Sequence, residues 1–381
     1  MPRAIQHTLS CFIVAVIATL PVESRALAQV DAIAPHSFML EVDAHQLRFN
    51  YDATHEIGPG QRHAGITHLF IMIHGTLRNA DVYHPLAGDA ARAADALEHT
   101  AVLTPQFLMA VDLEAHDAPN DTVYWTDAGW KQGDLSRSTD DHPRRARISA
   151  YAALEQLLLG AVASFPDLQR VTLAGHSAGG QHINRFAAGN RAAEQLEARG
   201  VTVRFIVSNP SSYIYFTDER LELWASPPTP ATDMQPQREP AEMHTSRFVR
   251  YDPAAVPNGC TTFNRYRFGL DGVNQYMAAS GEDGLRRQYG SRHVIYLLSA
   301  DDNDPEAQYL DRSCGALLQG PARYQRGVTY YRYMGHLFGE DVYDRHFIMV
   351  VPGVAHTARR VFNSPVGLRA VFADRVESTE F

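Results

Sequence analysis

The apolar positions of this chain follow two periodicities. Ser37–Val42 and Gln46–Tyr51 alternate between apolar and polar residues, as half-buried strands do, and the short polar gap between them predicts a hairpin. His68–Ile73 is instead a short continuous apolar run, the pattern of a strand buried on both faces of a sheet, and Ala101–Thr104, Val171–Ala174, Val203–Ser208, His293–Leu298 and Phe347–Val351 read as further short strands. Helical segments separate them. Asp81–Glu98 is alanine-rich, and Arg147–Phe165 carries Tyr151, Leu154, Leu158, Ala161 and Phe165 as one stripe at spacings of three and four. Ala178 to about Arg199 and Ala322–Phe338 read as further helices, and Thr357–Phe362 opens the last one. Strands alternating with helices predict an α/β fold with a mostly parallel sheet covered on both faces.

Two stretches interrupt this rhythm. Asp112 to Arg145 is long, polar and irregular, and a loop of that length in a compact domain is functional or mobile. It holds Trp125 and Trp130, which either line an acyl or aryl pocket or pack the loop onto the sheet. Residues Glu222–Pro257 are rich in proline and polar groups; Thr217 to Gly290 reads as an insertion or cap within one domain spanning 29–381.

The amino terminus has the pattern of an export signal. Arg3 and His7 precede the apolar run Cys11–Leu20, and Ala26-Leu27-Ala28 offers a cleavage site, so a signal peptide over 1–28 is expected. The run is too short for a stable membrane span, so no span is expected after signal removal; an uncleaved anchor is the alternative. The expected location is secreted or periplasmic. Of three cysteines, Cys11 leaves with the signal. Cys260 and Cys314 remain, an even number in an exported chain, and a disulfide between them is expected. The formal net charge of −9 gives no reason to expect nucleic acid or an anionic membrane as partner. Of the 34 lysines and arginines only Lys131 is a lysine, read here as a compositional bias.

The chemistry concentrates where apolar runs end. Val171–Ala174 runs into Gly175-His176-Ser177-Ala178-Gly179-Gly180 and then into a helix, the arrangement of a nucleophile elbow. Amides just after Ser177 open the helix without intrahelical partners and so can bind a developing oxyanion. His74-Gly75-Thr76 follows an earlier strand, Asp301, Asp302 and Asp304 follow the strand ending near Ser299, and His356 follows the last strand in Val351-Pro352-Gly353-Val354-Ala355-His356. In open parallel sheets active-site groups gather at the carboxyl ends of strands, so this placement carries meaning. A serine hydroxyl becomes a useful nucleophile when a neutral imidazole takes its proton, and a buried carboxylate holds that imidazole in the right tautomer. No metal or other cofactor is called for: the aspartates at 301, 302, 304 and 311 lack the glycine and closing glutamate of a calcium loop. They read as a solvated loop carrying one catalytic carboxylate. His176 reads as packing, and His74 as a brace for its loop through the ring nitrogens.

Ile73–Asn79, Gly175–Gly180 and Val351–His356 resemble the corresponding segments of α/β-hydrolases of the esterase and lipase type, in a poorly characterised bacterial and fungal branch. Leu318-Gln319-Gly320, Arg323 and Arg326-Gly327 are similar to that branch as well, and the resemblance runs from about Ser37 to the end of the chain. It implies Ser177 as nucleophile, His356 as base, and the N–H groups of Thr76 and Ala178 as the oxyanion hole, with His74 and Gly75 supporting that loop. The resembling hydrolases place their acid three residues past the position of Ser299, where they often carry glycine. That spacing selects Asp302, with Asp304 second. The expected activity is a serine hydrolase cleaving carboxylic esters, small or polymeric, through an acyl-enzyme. The alternatives are a peptidase or amidase with the same triad, and a non-catalytic binding module on the same fold. Acyl length and oligomeric state are not encoded in these motifs.

Overall fold

The computed structural model describes residues 28–225 and 241–379, so the expected signal peptide lies, apart from Ala28, outside the described residues. The described residues form ten strands: β1 (His36–Val42), β2 (His45–Ala53), β3 (His68–Ile73), β4 (Thr100–Pro105), β5 (Arg170–His176), β6 (Thr202–Ser208), β7 (Glu219–Leu221), β8 (Phe248–Arg250), β9 (His293–Ser299) and β10 (His346–Val351). Eight of them form one sheet in the order β1-β2-β4-β3-β5-β6-β9-β10. β1 and β2 are the predicted hairpin, turned by Asp43 and Ala44, both at positive φ (47° and 65°). β2 meets β4 antiparallel, and every pair from β4 to β10 is parallel. The carboxyl ends of β3, β5, β9 and β10 therefore lie on one edge of the sheet.

The continuous apolar runs serve both faces. Leu69, Ile71 and Ile73 of β3 join the larger core with β5, the helix Ala150–Ser164 and the elbow helix Ala178–Gly189. Phe70 and Met72 point the other way, into a second core under the helices Ala80–Ala93 and Pro365–Phe372. Trp125 and Trp130 are fully buried in the larger core, and Trp130 stacks on Phe107 at 5.5 Å, so they pack the long loop rather than line a pocket.

Several helices end earlier than their apolar pattern suggests. The alanine-rich helix stops at Ala93, just before Asp95 turns to φ 54°, and gives way to a short 3-10 turn at Leu97–His99. The helix expected to run to Arg199 is two helices, Ala178–Gly189 and Ala192–Glu197. Asn190 breaks it with an extended backbone, and its Oδ1 accepts from Ala193 N–H at 3.0 Å. Ser364 and Pro365 likewise start a new helix after Ala358–Phe362.

Within the insertion, β7 and β8 form a small antiparallel ribbon. Arg220 of β7 is buried between Tyr215 and Phe263, 4.2 and 5.0 Å from the ring centres. The far end of the segment belongs to the main core: Leu285 and Tyr289 are buried there, and Asn184 of the elbow helix donates to Tyr289 Oη at 2.8 Å. Cys260 and Cys314 form the expected disulfide, joining the insertion to the short helix Cys314–Leu317 that follows the aspartate loop.

Candidate active site

β5 delivers Ser177 on a forced backbone. Its φ of 58° and ψ of −116° fall where a side chain is strained, a cost of about 1–3 kcal/mol that the surroundings must absorb. Ser177 N–H donates to Ser208 O on β6 at 2.9 Å and pins the turn. The glycines around it are required by contact. A Cβ on Gly175 would stand 2.2 Å from Gly179 O, one on Gly179 2.4 Å from Ile73 O, and one on Gly180 2.5 Å from Ser208 O. Any side chain there would push the elbow helix off β5, β3 or β6 in turn.

The loop after β3 is built around two buried polar groups. His74 donates from Nδ1 to Gly75 O at 2.9 Å, and its Nε2 accepts from Phe107 N–H at 2.9 Å. Both ring nitrogens are used, as the sequence suggested, and burial holds its pKa down to about 4, against the partial support of the Gly75 carbonyl. Arg78, at φ 58°, closes the turn through its N–H to Gly75 O at 3.1 Å. Its guanidinium grips Asp112 with two bonds of 2.8 and 2.9 Å, both side chains fully buried. Gly75 faces Tyr83, whose Oη would be 2.8 Å from a Cβ. Thr76 is tethered by its hydroxyl, which donates to Asp127 Oδ1 at 3.4 Å; Asp127 in turn pairs with Lys131 at 2.7 Å. Neither Thr76 N–H nor Ala178 N–H, the first of the elbow helix, donates to another described residue.

On the opposite side the three aspartates separate. Asp301 and Asp304 are exposed, and Asp304 caps Glu306 N–H at 2.8 Å. Asp302 is buried, and its backbone is tied to Ser299 O and Tyr324 N–H at 3.2 and 3.0 Å. Its Oδ2 accepts from His356 Nδ1 at 2.6 Å, and its Oδ1 from Arg323 Nη1 at 3.3 Å. The remaining nitrogen of His356, Nε2, is the one left for a serine or a substrate. Ser299, where the resembling hydrolases often carry glycine, links two strand ends: its Oγ accepts from Asn209 Nδ2 at 2.8 Å and its N–H donates to Asn209 Oδ1 at 2.9 Å.

His176 packs its ring 4.5 Å from that of His356 and shares a hydrogen bond of 3.1 Å between Nδ1 and Ser208 Oγ. Burial first, then His356 and Arg323, push its pKa well below the usual histidine range. It stays neutral and works as packing. Because Ser177 is the next residue, this contact also brings the elbow against the histidine loop.

The sequence motifs singled out Ser177, Thr76, Ala178, Asp302 and His356, and the fold places all five after strand ends on one edge of the sheet. The motifs did not reveal the contacts behind them: Arg78 with Asp112, Asp127 with Lys131, Asn209 with Ser299, and Arg323 with Asp302. The only signals available for these were the presence of Arg78 and of Arg323 in tracts similar to known hydrolases. Among the described residues no group of three or more His, Cys, Asp or Glu side chains is arranged to hold a metal, and no helix is long and apolar enough to cross a membrane.

No family model and no curated protein sequence matches the chain. Solved structures do. It is similar to the LpqC poly(3-hydroxybutyrate) depolymerase from Bordetella parapertussis at 20% identity and a TM-score of 0.52, covering 91% of this chain and 92% of that one. It is also similar to poly(aspartic acid) hydrolase-1 from Sphingomonas sp. KT-1, at 21% identity and a TM-score of 0.47 over 86% and 95% of the two chains. At such identities the likeness is one of architecture. Taken with the strand order and the elbow after β5, it identifies the chain as having the α/β-hydrolase fold.

Proposed function

We propose that the protein is an exported serine hydrolase that cleaves carboxylic esters through an acyl-enzyme on Ser177. The observation that carries this reading is the 2.6 Å contact between buried Asp302 and His356, on the edge where Ser177 occupies a strained elbow. Ser177 Oγ attacks the ester carbonyl while His356 Nε2 takes its proton, and Asp302 holds Nδ1–H and stabilises the imidazolium. The N–H groups of Thr76 and Ala178 receive the oxyanion, a contribution of about 3–4 kcal/mol per donor in comparable sites. His356 then protonates the leaving alcohol, and water activated by the same imidazole hydrolyses the acyl-enzyme. The disulfide supports export, since such bonds persist in oxidising compartments; the leader expected over 1–28 agrees with it.

Labelling with a fluorophosphonate followed by peptide mapping tests the nucleophile: the label is expected on Ser177 and absent from Ser177→Ala. A panel of p-nitrophenyl esters graded by acyl length, run beside the matching anilides, tests the bond. Turnover of anilides at rates equal to the esters would make the protein an amidase. No labelling and no turnover would leave a binding module.

A further inference from the structure

Behind Asp302 lies buried positive charge that the proposed reaction does not use. Arg323 is fully buried. It donates from Nη1 to Asp302 Oδ1 at 3.3 Å, from Nε to Ser211 Oγ at 3.3 Å, and from Nη2 to Gln308 O at 3.2 Å. Arg326, also fully buried, donates from Nε to Gly320 O at 2.8 Å and from Nη1 to Ser211 O. Both arginines occupy the first turn of the helix Arg323–Phe338, where the helix dipole disfavours a cation. Burial adds to the cost: it lowers the pKa of Arg323 below the usual range and that of Arg326 to about 10. Arg326 has an evident structural task, stapling the loop after β6 by its carbonyl. Arg323 differs, because it reaches the carboxylate that faces His356.

The charge balance around His356 follows. Asp302 faces it from the loop after β9, and neutral His176 faces it from the end of β5. Arg323 acts from the helix through the far oxygen of Asp302, with Arg326 behind it and Asp304 outside it in the exposed loop. The one buried carboxylate that faces His356 is thus already balanced by one guanidinium before the imidazole takes a proton.

We infer that Arg323 is a positioning residue: it fixes Asp302 by one oxygen so that the other meets His356, and by sharing the carboxylate's charge it sets the pH at which activity is lost on the acid side. This rests on the serine-hydrolase reading. A guanidinium fixed on one oxygen of the acid competes with an imidazolium for the same carboxylate. Removing the cation moves the acid limb to higher pH, by about one unit for charges this close in a protein interior.

The test is kcat/KM on one activated ester from about pH 4.5 to about pH 8.5, for wild type, Arg323→Met, Arg323→Gln and Arg323→Lys. Arg323→Gln keeps a donor for Asp302 Oδ1 without charge and stands in if Arg323→Met does not fold. The acid limb is expected about one unit higher in the neutral variants and near the wild-type position in Arg323→Lys, whatever the change in kcat. An unmoved limb in a folded, active neutral variant would overturn the inference, leaving Arg323 a structural staple. An equal shift in Arg323→Lys would overturn it too, since charge would then not matter. Fluorophosphonate labelling of wild-type Ser177 separates the two levels: without it the serine-hydrolase reading itself fails.

Discussion

Around Ser177 the backbone itself is constrained, whereas around Asp302 side chains do the holding. On the nucleophile side Gly175, Gly179 and Gly180 each lie too close to a neighbouring carbonyl to carry a Cβ, and the serine is fixed by the approach of β3, β5 and β6. On the acid side a loop of fifteen or so residues beyond β9 is held by Arg323 through Asp302 and Gln308, by Asn209 against Ser299, and by the disulfide at Cys314. The first kind of support writes itself into the sequence as glycines at fixed spacing. The second is spread over residues distant in sequence, and it leaves the acid adjustable by charge.

The largest effect expected is at the constrained side. Ser177→Ala removes the proposed nucleophile and should lower ester turnover by about 10⁶-fold without loss of stability, since it deletes one hydroxyl that bonds to no described residue. Steady-state rates beside urea denaturation check both parts; residual activity above a small fraction of wild type would break the comparison at its root.

The acid side should come next. Asp302→Asn keeps the shape but presents the wrong partner to His356 Nδ1, and the loss in kcat should approach 10⁴-fold. Asp301→Asn and Asp304→Asn, at exposed positions, should stay within a few-fold of wild type. Three single variants assayed on one ester decide it. If Asp304→Asn collapsed while Asp302→Asn did not, the contact seen at Asp302 would not be the one that functions.

This contrast also explains what was legible in the sequence. The parallel strands are buried on both faces, so they appear as continuous apolar runs, and the residues after them stand at the active edge. Asp302 was singled out by the spacing from Ser299 at which the resembling hydrolases place their acid, and it is the aspartate that meets His356. The burial of Arg323, Arg326, Arg185 and Arg220 was not legible, because arginine is ordinarily a surface residue; all four are fully buried, Arg323 against the Asp302 carboxylate and the others with their charges spread over backbone carbonyls and rings. The break at Asn190 was hidden for a different reason: apolar periodicity continues across it, and only the capping bond to Ala193 distinguishes two helices from one.

The disulfide sharpens the comparison as a matter of stability. Cys260 and Cys314 are 54 residues apart, and closing a loop of that size constrains the unfolded chain by about 4 kcal/mol at most. The double variant Cys260→Ser/Cys314→Ser should lose about 2–4 kcal/mol in urea denaturation. Reductant should lower the wild-type midpoint and leave the variant's alone. An unchanged midpoint would mean that the arginine contacts alone hold the acid side.

The smallest effect expected concerns acid and the nucleophile side. His74 is buried and neutral, and its pKa is held down to about 4 by burial. In the unfolded chain the same imidazole titrates near 6.5, so between these values the unfolded state binds the extra proton. Stability from this residue is therefore complete above about pH 6.5 and falls as the pH drops toward 4, by about 3 kcal/mol in all. His68, His182 and His346, all held down to about 3 by burial, add to the same slope. His74→Gln offers a donor and an acceptor in similar positions but takes up no proton. Urea denaturation at several pH values should show its stability falling less steeply than wild type by about one proton over this range, even if its stability at neutral pH is lower. Equal slopes would mean that the imidazole is not kept neutral in the folded protein, and the buried brace of the Thr76 loop would then need another explanation.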